Sequence, residues 1–176
     1  MKKSILITGV AGSGKSAVCG ELQKRGYSAH DIEDMEGLFQ MIDKKTGMLT
    51  IKHDNDNLEL VEQNQWICDS GKLKELMSRA GEEITFYCGI AADMDELLPL
   101  FDTVVLLKAN PDILRQRLTD RKAGDFGKTP EVQTWIMSWK DWWENHMQKS
   151  GAIVIDADQN IDTVSTEIIK KTDLKV

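Results

Sequence analysis

Cysteine and proline are scarce in this sequence, which contains three of each among 176 residues. The cysteines Cys19, Cys68 and Cys88 are odd in number and form no C-x-x-C pair, so neither a disulfide framework nor a zinc framework is indicated. We therefore expect buried free thiols, which behave as small apolar side chains, and a protein of a reducing, cytoplasmic compartment.

Long apolar runs are also missing from the sequence. No segment approaches the roughly 20 apolar residues that span a bilayer, so we expect no membrane partner. The first apolar run stops at Thr8 and is too short for a signal peptide, which needs an apolar segment of roughly 7–15 residues.

Basic residues are in the minority, with 22 Lys and Arg against 29 Asp and Glu and a formal net charge of −7. Proteins that bind nucleic acids usually present a basic surface, so we expect no nucleic-acid partner. The length suits one domain, which we assign to residues 1–176, as a monomer or a homodimer.

Five short β-like runs alternate with helical patterns along the chain. Helix starts are marked by capping residues, several of them followed by proline or acidic residues, at Ser70, Asn110, Thr129 and Asn160. Strands that alternate with helices build a parallel sheet covered on both faces. The sequence therefore predicts an α/β fold, a three-layer α/β/α domain around a five-stranded parallel sheet, with strands at residues 4–8, 27–31, 84–88, 103–107 and 152–155.

Two polar segments do not fit this core. Residues 32–57 contain a turn-like KKTG and the run HDNDN, and residues 121–129 are short, basic and rich in glycine. We expect both to be loops at the edge of the sheet, where functional residues often lie.

Four tryptophans, Trp135, Trp139, Trp142 and Trp143, fall on one face of the helix predicted after the second polar segment. We interpret this face as an apolar seam that anchors the helix to the core. The alternative is a platform on which a base stacks.

The segment GVAGSGKS, residues 9–16, has the spacing G-x-x-x-x-G-K-S between the first predicted strand and the first predicted helix. This context is that of a phosphate-binding loop, in which backbone amides and a helix amino terminus surround an anion. Lys15 would then reach the outer phosphates, and Ser16 would hold a magnesium ion between two of them. The alternative is a glycine-rich turn without a ligand, but the flanking strand and helix favour a triphosphate site.

With this loop the chain resembles the P-loop kinases related to nucleoside monophosphate kinases, shikimate kinase and gluconate kinase. The segment LRQRLTDR, residues 114–121, is similar to the family's R-L-x-x-R pattern before the lid. The segment VIDAD, residues 154–158, is similar to the last strand and the loop that contacts adenine. The resemblance implies a P-loop NTPase (nucleoside-kinase-like) fold that uses ATP and Mg²⁺, with an acceptor-binding insertion at residues 32–80 and a short lid at residues 121–130.

Arg117 and Arg121 are four residues apart and therefore project from one face of a helix. Two guanidinium groups placed there can neutralise charge on a phosphoryl group during transfer. The alternative is a solvated basic face paired with Asp112 or Asp120. Lys128, within the predicted lid, is a further candidate.

The acidic run DIED, residues 31–34, follows the second predicted strand. Relatives of the shikimate and gluconate kinase type carry a D-x-D pattern there, so the resemblance implies that Asp31 or Glu33 meets the acceptor or the metal. The alternative is a helix start with acids near its positive end. Gly89 lies where relatives place small residues against the acceptor, or else it belongs to a plain turn.

One departure concerns the metal. The strand at residues 84–88 ends without the aspartate that supports magnesium in many P-loop proteins. Asp31, Asp93 or water is left to take that role beside Ser16.

The resemblance thus implies three groups of site residues. The catalytic group is Lys15, Arg117 and Arg121; the nucleotide group is Gly9, Gly12, Ser13, Gly14, Lys15, Ser16, Ala17 and Asp156; the acceptor group is Asp31, Glu33 and Gly89, with Ser16 and Asp31 as metal ligands.

We predict an ATP-dependent phosphotransferase that moves the γ-phosphoryl group to a small molecule, either a nucleotide, a nucleoside or a hydroxylated metabolite. Arg79 is the only arginine between Asp31 and Gly89, which disfavours an acceptor phosphate. The alternatives are a nucleotide-binding regulatory ATPase, which needs no arginine-bearing lid, and a kinase-like protein that has lost catalysis.

Overall fold

The computed structural model describes residues 2–81 and 84–172, and within these ranges the chain forms seven strands and seven α-helices. The strands are β1 (Lys3–Thr8), β2 (Ser28–Asp31), β3 (Phe39–Asp43), β4 (Asn64–Cys68), β5 (Ile84–Cys88), β6 (Thr103–Lys108) and β7 (Ile153–Asp156). The helices are α1 (Lys15–Lys24), α2 (Leu58–Gln63), α3 (Ser70–Arg79), α4 (Met94–Leu97), α5 (Pro111–Thr119), α6 (Pro130–Lys149) and α7 (Ile161–Lys171), with a short 3₁₀ helix at Leu98–Leu100.

The central sheet has the strand order β2-β5-β1-β6-β7, and all its strands are parallel. The predicted five-stranded sheet is therefore confirmed, with strand bounds within about one residue of the expectation. β1 lies in the middle and is buried on both faces, as its continuous apolar run indicates. The connection after β1 leads to β2 at one edge of the sheet, whereas the connection after β5 leads to β6 on the other side of β1. Because these connections run in opposite directions, a crevice opens at the carboxyl ends of β1 and β5.

A second, antiparallel sheet pairs β3 with β4, from Phe39 opposite Cys68 to Asp43 opposite Asn64. The expectation of a loop over residues 32–57 is wrong for β3. The strand is short and only partly buried, so it lacks the apolar alternation that marks a strand in a sequence. It is stabilised by pairing with β4, a segment distant in the chain, and by the stacked rings of Phe39 and Trp66 at 5.4 Å.

Two of the four predicted helix caps are confirmed by side-chain hydrogen bonds. The side chains of Asn110 and Asn160 accept hydrogen bonds from backbone amides at the starts of α5 and α7. Ser70 is not the cap of α3, because the preceding Asp69 accepts the hydrogen bond from the Lys72 amide. Thr129 occupies the cap position of α6 without a capping hydrogen bond.

Three of the four clustered tryptophans anchor α6 to the core. Trp135, Trp139 and Trp143 contact one another edge to face, with centroids 5.6 and 6.4 Å apart. Trp142 is 69% exposed and stacks on His146 instead, so the predicted seam is wrong at that position. The buried face of α6 is centred on Val132, Ile136 and Met147, and Trp142 lies outside it.

The three cysteines are buried and free, as expected. Among the helices of the described residues, none has both the length and the apolar character needed to cross a membrane.

Candidate active site

The loop between β1 and α1 has the backbone of an anion-binding cradle. Gly12 and Gly14 have φ angles of +84° and +101°. Residues other than glycine rarely adopt this left-handed backbone conformation. Gly14 is the cap residue of α1 and contributes no side chain to it. The first-turn amides of α1 are thus left for an anion at the positive end of the helix.

Lys15 is held against its own loop. Its Nζ donates to the Gly9 carbonyl at 2.8 Å and lies 3.9 Å from Glu33 Oε1. Burial lowers the pKa of Lys15, and the negative charge of Glu33 acts in the opposite direction. The ammonium group is therefore already positioned at the cradle, with a carboxylate on its far side.

The two serines of the loop occupy different positions. Ser16 and its neighbour Ala17 are exposed at the start of α1 and line the cleft. Ser13 is buried, its amide donates to the Val10 carbonyl at 3.1 Å, and its hydroxyl packs over Gly9. The Ser13 amide is thus committed within the loop, whereas the Ser16 hydroxyl is free to meet a ligand.

Arg117 bridges the loop after β1 and the segment after β7. Its guanidinium group donates to the Gly12 carbonyl at 3.3 Å and to the Ala157 carbonyl, just after β7, at 2.8 Å. The predicted nucleotide residue Asp156 is exposed beside this contact and accepts from the Asp158 amide at 2.9 Å. Arg117 therefore fixes the distance between the phosphate cradle and the loop at the edge strand.

Arg121 lies beyond the end of α5 at Thr119, so the prediction that it shares a helix face with Arg117 is wrong. It approaches the same cleft from the predicted lid instead. Its Nη1 donates to the Phe126 carbonyl at 2.6 Å. Burial lowers the pKa of Arg121, whereas Asp125 and Glu33 raise it. Both arginines line a cleft of about 200 Å³, together with Gly12, Gly14, Lys15, Ser16 and Ala17.

Lys128 takes a different direction from Arg121. Its ammonium group donates to the Thr119 carbonyl at the end of α5. In this arrangement Lys128 joins the predicted lid to the end of α5.

The acidic run meets the cradle at the carboxyl end of β2. Asp31 is paired in register with Cys88, at the end of β5. Glu33 Oε1 accepts from the Ile90 amide at 2.9 Å. Burial raises the pKa of Glu33, and the nearby Lys15 lowers it. A partly buried carboxylate with a raised pKa beside a phosphate cradle is suited to accept a proton.

Gly89 packs directly against this acidic run. A Cβ there would lie 2.7 Å from Ile32 Cγ1 and 3.2 Å from Glu33 Cγ. The glycine therefore leaves room for the stem of Glu33, a reason that the sequence did not reveal. Its contact with an acceptor stays a prediction.

Asp93, one of the acids considered as a metal ligand, makes a structural hydrogen bond instead. Asp93 accepts from the Cys68 amide at 3.2 Å and so stabilises the end of β4. Within residues 2–81 and 84–172, no three His, Cys, Asp or Glu side chains converge as a metal cluster. The exposed Ser16 hydroxyl at the cradle fits a magnesium ion, which commonly keeps several water ligands, and Asp31 stays a predicted ligand.

One contact near the site was missed by the sequence reasoning. Asn55, in the polar run HDNDN, donates from Nδ2 to the Gly124 carbonyl at 2.9 Å and so joins the predicted insertion to the predicted lid. In the sequence the run is marked only by its polarity, because its partner lies 69 residues away.

A family model described as "AAA domain" matches residues 5–138. The chain belongs to this family. The matched range contains the phosphate cradle, the acidic run and both arginines, and no curated protein matches the chain.

Solved structures of kinases share the architecture. Deoxyadenosine kinase from M. mycoides superposes with a TM-score of 0.62 at 15% identity, over 98% of this chain and 100% of that chain. A gluconokinase from Sinorhizobium meliloti 1021 gives 0.56 at 18% identity, over 96% and 90%. Shikimate kinase from Bacteroides thetaiotaomicron gives 0.54 at 15% identity, over 97% and 98%. The resemblance to this group of P-loop kinases is confirmed at the level of the fold.

Proposed function

We propose that this AAA-domain protein is an ATP-dependent phosphotransferase that moves the γ-phosphoryl group of ATP to a hydroxyl of a small molecule. The observation that carries the proposal is the cleft in which Lys15, Arg117 and Arg121 converge on the amino end of α1. Three fixed cations around one anion cradle match a reaction in which charge spreads over a transferring phosphoryl group.

Each residue of the cleft has a separate role in the proposed reaction. The loop amides and Lys15 hold the β- and γ-phosphates, and Arg117 sets the cradle against the loop after β7, where the base would lie. Arg121 neutralises charge on the phosphoryl group as it moves. Ser16 would hold a magnesium ion, which supplies further charge neutralisation between the phosphates.

Glu33 is the group we assign to the acceptor. Its raised pKa and its position 3.9 Å from Lys15 suit a carboxylate that takes the hydroxyl proton. As the acceptor oxygen forms its bond to phosphorus, the bond from phosphorus to the ADP oxygen breaks, and the hydroxyl proton passes to Glu33. The lid at residues 121–130 excludes water from this step.

The charges around the acceptor end favour an acceptor without a phosphate of its own. Asp31 and Asp34 add their negative charge to that of Glu33. Of the cations nearby in the chain, Arg79 pairs with Glu75, and Lys72 donates to the Gly37 carbonyl at 2.8 Å. We therefore expect a nucleoside or another hydroxylated metabolite, because an anionic acceptor would be repelled by these carboxylates.

The test combines nucleotide affinity with turnover over a panel of nucleosides, nucleotides, sugar acids and polyols. Arg121→Ala should cut acceptor-dependent ADP release by about 10³ and leave ATP affinity within about tenfold. Arg117→Ala should weaken ATP affinity as well, since it contacts both sides of the nucleotide cleft. Arg115→Ala is the matched control, because Arg115 lies on the same helix and is exposed.

Each outcome separates the candidate functions. ADP release that no acceptor stimulates would indicate the regulatory ATPase, and ATP binding without any turnover would indicate a kinase-like protein that has lost catalysis. Equal losses in Arg115→Ala and Arg121→Ala would contradict the role of Arg121.

A further inference from the structure

The lid and the insertion meet at one side chain. We define the latch segment as residues 52–57, which lie between β3 and α2. From this segment Asn55 Nδ2 donates to the Gly124 carbonyl in the lid at 2.9 Å. Gly124 is three residues beyond Arg121, the arginine assigned to the moving phosphoryl group.

The latch segment is fixed to the insertion from both ends. The buried Asn64 donates from Nδ2 to the Lys52 carbonyl at 2.8 Å. At the other end, the Asn57 side chain accepts from the Leu60 amide and caps α2, which packs against α6. Asn55 is therefore presented to the lid by anchored backbone on both sides.

The orientation of the Asn55 amide is set by His53. His53 Nε2 lies 2.7 Å from Asn55 Oδ1. Since Asn55 Nδ2 donates to Gly124, Oδ1 must accept, and His53 Nε2 therefore carries the proton. This second contact holds Asn55 in the rotamer that reaches the lid.

On the lid side, the contact passes directly to Arg121. Gly124 and Phe126 are two residues apart and lie in consecutive turns. The Asp125 amide donates to the Lys122 carbonyl at 3.2 Å and closes the first turn, and the Lys128 amide donates to the Asp125 carbonyl at 3.1 Å and closes the second. The Phe126 carbonyl accepts from Arg121 Nη1 at 2.6 Å. A shift of Gly124 would therefore move the carbonyl that orients the Arg121 guanidinium group.

We propose that Asn55 is a positioning residue for phosphoryl transfer, which holds the lid where Phe126 orients Arg121 toward the phosphate cradle. The inference rests on the proposed function of Arg121. The hydrogen bond of Asn55 couples the insertion, which carries Glu33, to the lid, which carries Arg121. Because the two segments move together, the site closes around the acceptor as Arg121 is placed.

The first experiment compares Asn55→Ala and Asn55→Asp with Asp56→Ala, an exposed neighbour in the latch segment. Both Asn55 variants should lower kcat about tenfold and leave KM for ATP within about twofold, because they displace Arg121, which acts on the transition state. Asn55→Asp is informative because a carboxylate still accepts from His53 but has no N–H for Gly124. Asp56→Ala should behave as wild type.

The second experiment asks whether Asn55 acts through Arg121. In an Arg121→Ala background, Asn55→Ala should change kcat by less than about twofold, since the group it positions is gone. Backbone hydrogen exchange of residues 122–128 should be faster in both Asn55 variants than in wild type, with the exchange of the central sheet unchanged.

These results distinguish failure of the latch from failure of the proposed function. Wild type that binds ATP but transfers no phosphoryl group would overturn the proposed function, whereas lid exchange would still report on the contact of Asn55. The same tenfold loss in both backgrounds, wild-type kcat in Asn55→Asp, or unchanged lid exchange in both Asn55 variants would overturn the positioning role.

Discussion

At the scale of single residues, Gly89 matters to the candidate site because it has no Cβ atom. Its position at the end of β5 lies against Ile32 and Glu33, so the acidic run can approach the strand end. The Ile90 amide, one residue further, then donates to Glu33 at 2.9 Å and fixes the carboxylate beside Lys15. The chemistry assigned to Glu33 therefore depends on a side chain that is only a hydrogen atom.

We predict that Gly89→Ala reduces acceptor-dependent turnover by at least tenfold and destabilises the fold by about 1–3 kcal/mol, because a Cβ would displace Glu33 from the Ile90 amide. Gly20→Ala is the control, since Gly20 lies within α1 with open space around it. That variant should gain up to about 1 kcal/mol in stability and retain activity. Steady-state kinetics and denaturant unfolding measure both effects, and an active Gly89→Ala would contradict the packing argument.

At the scale of elements, α6 carries an ion pair on its buried face. Lys140 Nζ lies 2.9 Å from Glu144 Oε2, and these side chains are only 4% and 1% exposed. Lys108, at the end of β6, approaches the same carboxylate at 3.7 Å. These contacts thus link α6 to a strand that ends beside the phosphate cradle.

We predict that Glu144→Leu costs about 3 kcal/mol of unfolding free energy, because Lys140 is left buried without its main partner. Lys140→Met should cost less, since Glu144 keeps Lys108. The double variant Lys140→Met/Glu144→Leu should be more stable than Glu144→Leu alone, because apolar side chains replace the pair without leaving a buried charge. Urea unfolding of the four proteins gives the coupling energy, and strictly additive single costs would refute it.

At the scale of the whole molecule, the carboxyl and amino ends of the parallel strands in the central sheet have different roles. The candidate site lies at the carboxyl edge. At the amino edge, Asp102 Oδ2 accepts from the Ser4 amide at 2.7 Å and from the Ser4 hydroxyl at 2.9 Å, and so joins the starts of β1 and β6. These hydrogen bonds lower the pKa of Asp102.

Because the pKa of Asp102 is lower in the folded state, its contribution to stability is present above its ordinary pKa of 3.8. The contribution is lost as the pH falls through the lowered value. We predict that Asp102→Asn lowers the free energy of unfolding by about 0.5–1 kcal/mol at pH 7 and that the difference shrinks below about pH 4. Acid-dependent urea unfolding measures this, with ATP affinity as the control that should not change. A difference that grows on acidification would reverse the assigned sign.

Local sequence patterns are sufficient to predict much of this fold. The buried strand β1 and the loop from Gly9 to Ser16 each follow from a short stretch of residues with its own periodicity or spacing. The caps at Asn110 and Asn160 are likewise local, since each accepts from an amide within three residues. Features of this kind depend on neighbours in the chain, which a sequence displays directly.

Contacts between distant segments required the tertiary structure. The pairing of β3 with β4, the exposure of Trp142 and the packing of Gly89 against Glu33 each depend on residues far apart in the chain. The contact of Asn55 with Gly124 spans 69 residues and joins two loops that carry no periodicity at all. Local spacing and apolar patterning encode the loop from Gly9 to Ser16 and the parallel sheet, so both can be predicted from the amino-acid sequence. The side chains that face this loop and the contacts that hold them there cannot be predicted in this way, because burial and long-range hydrogen bonds arise when distant segments meet.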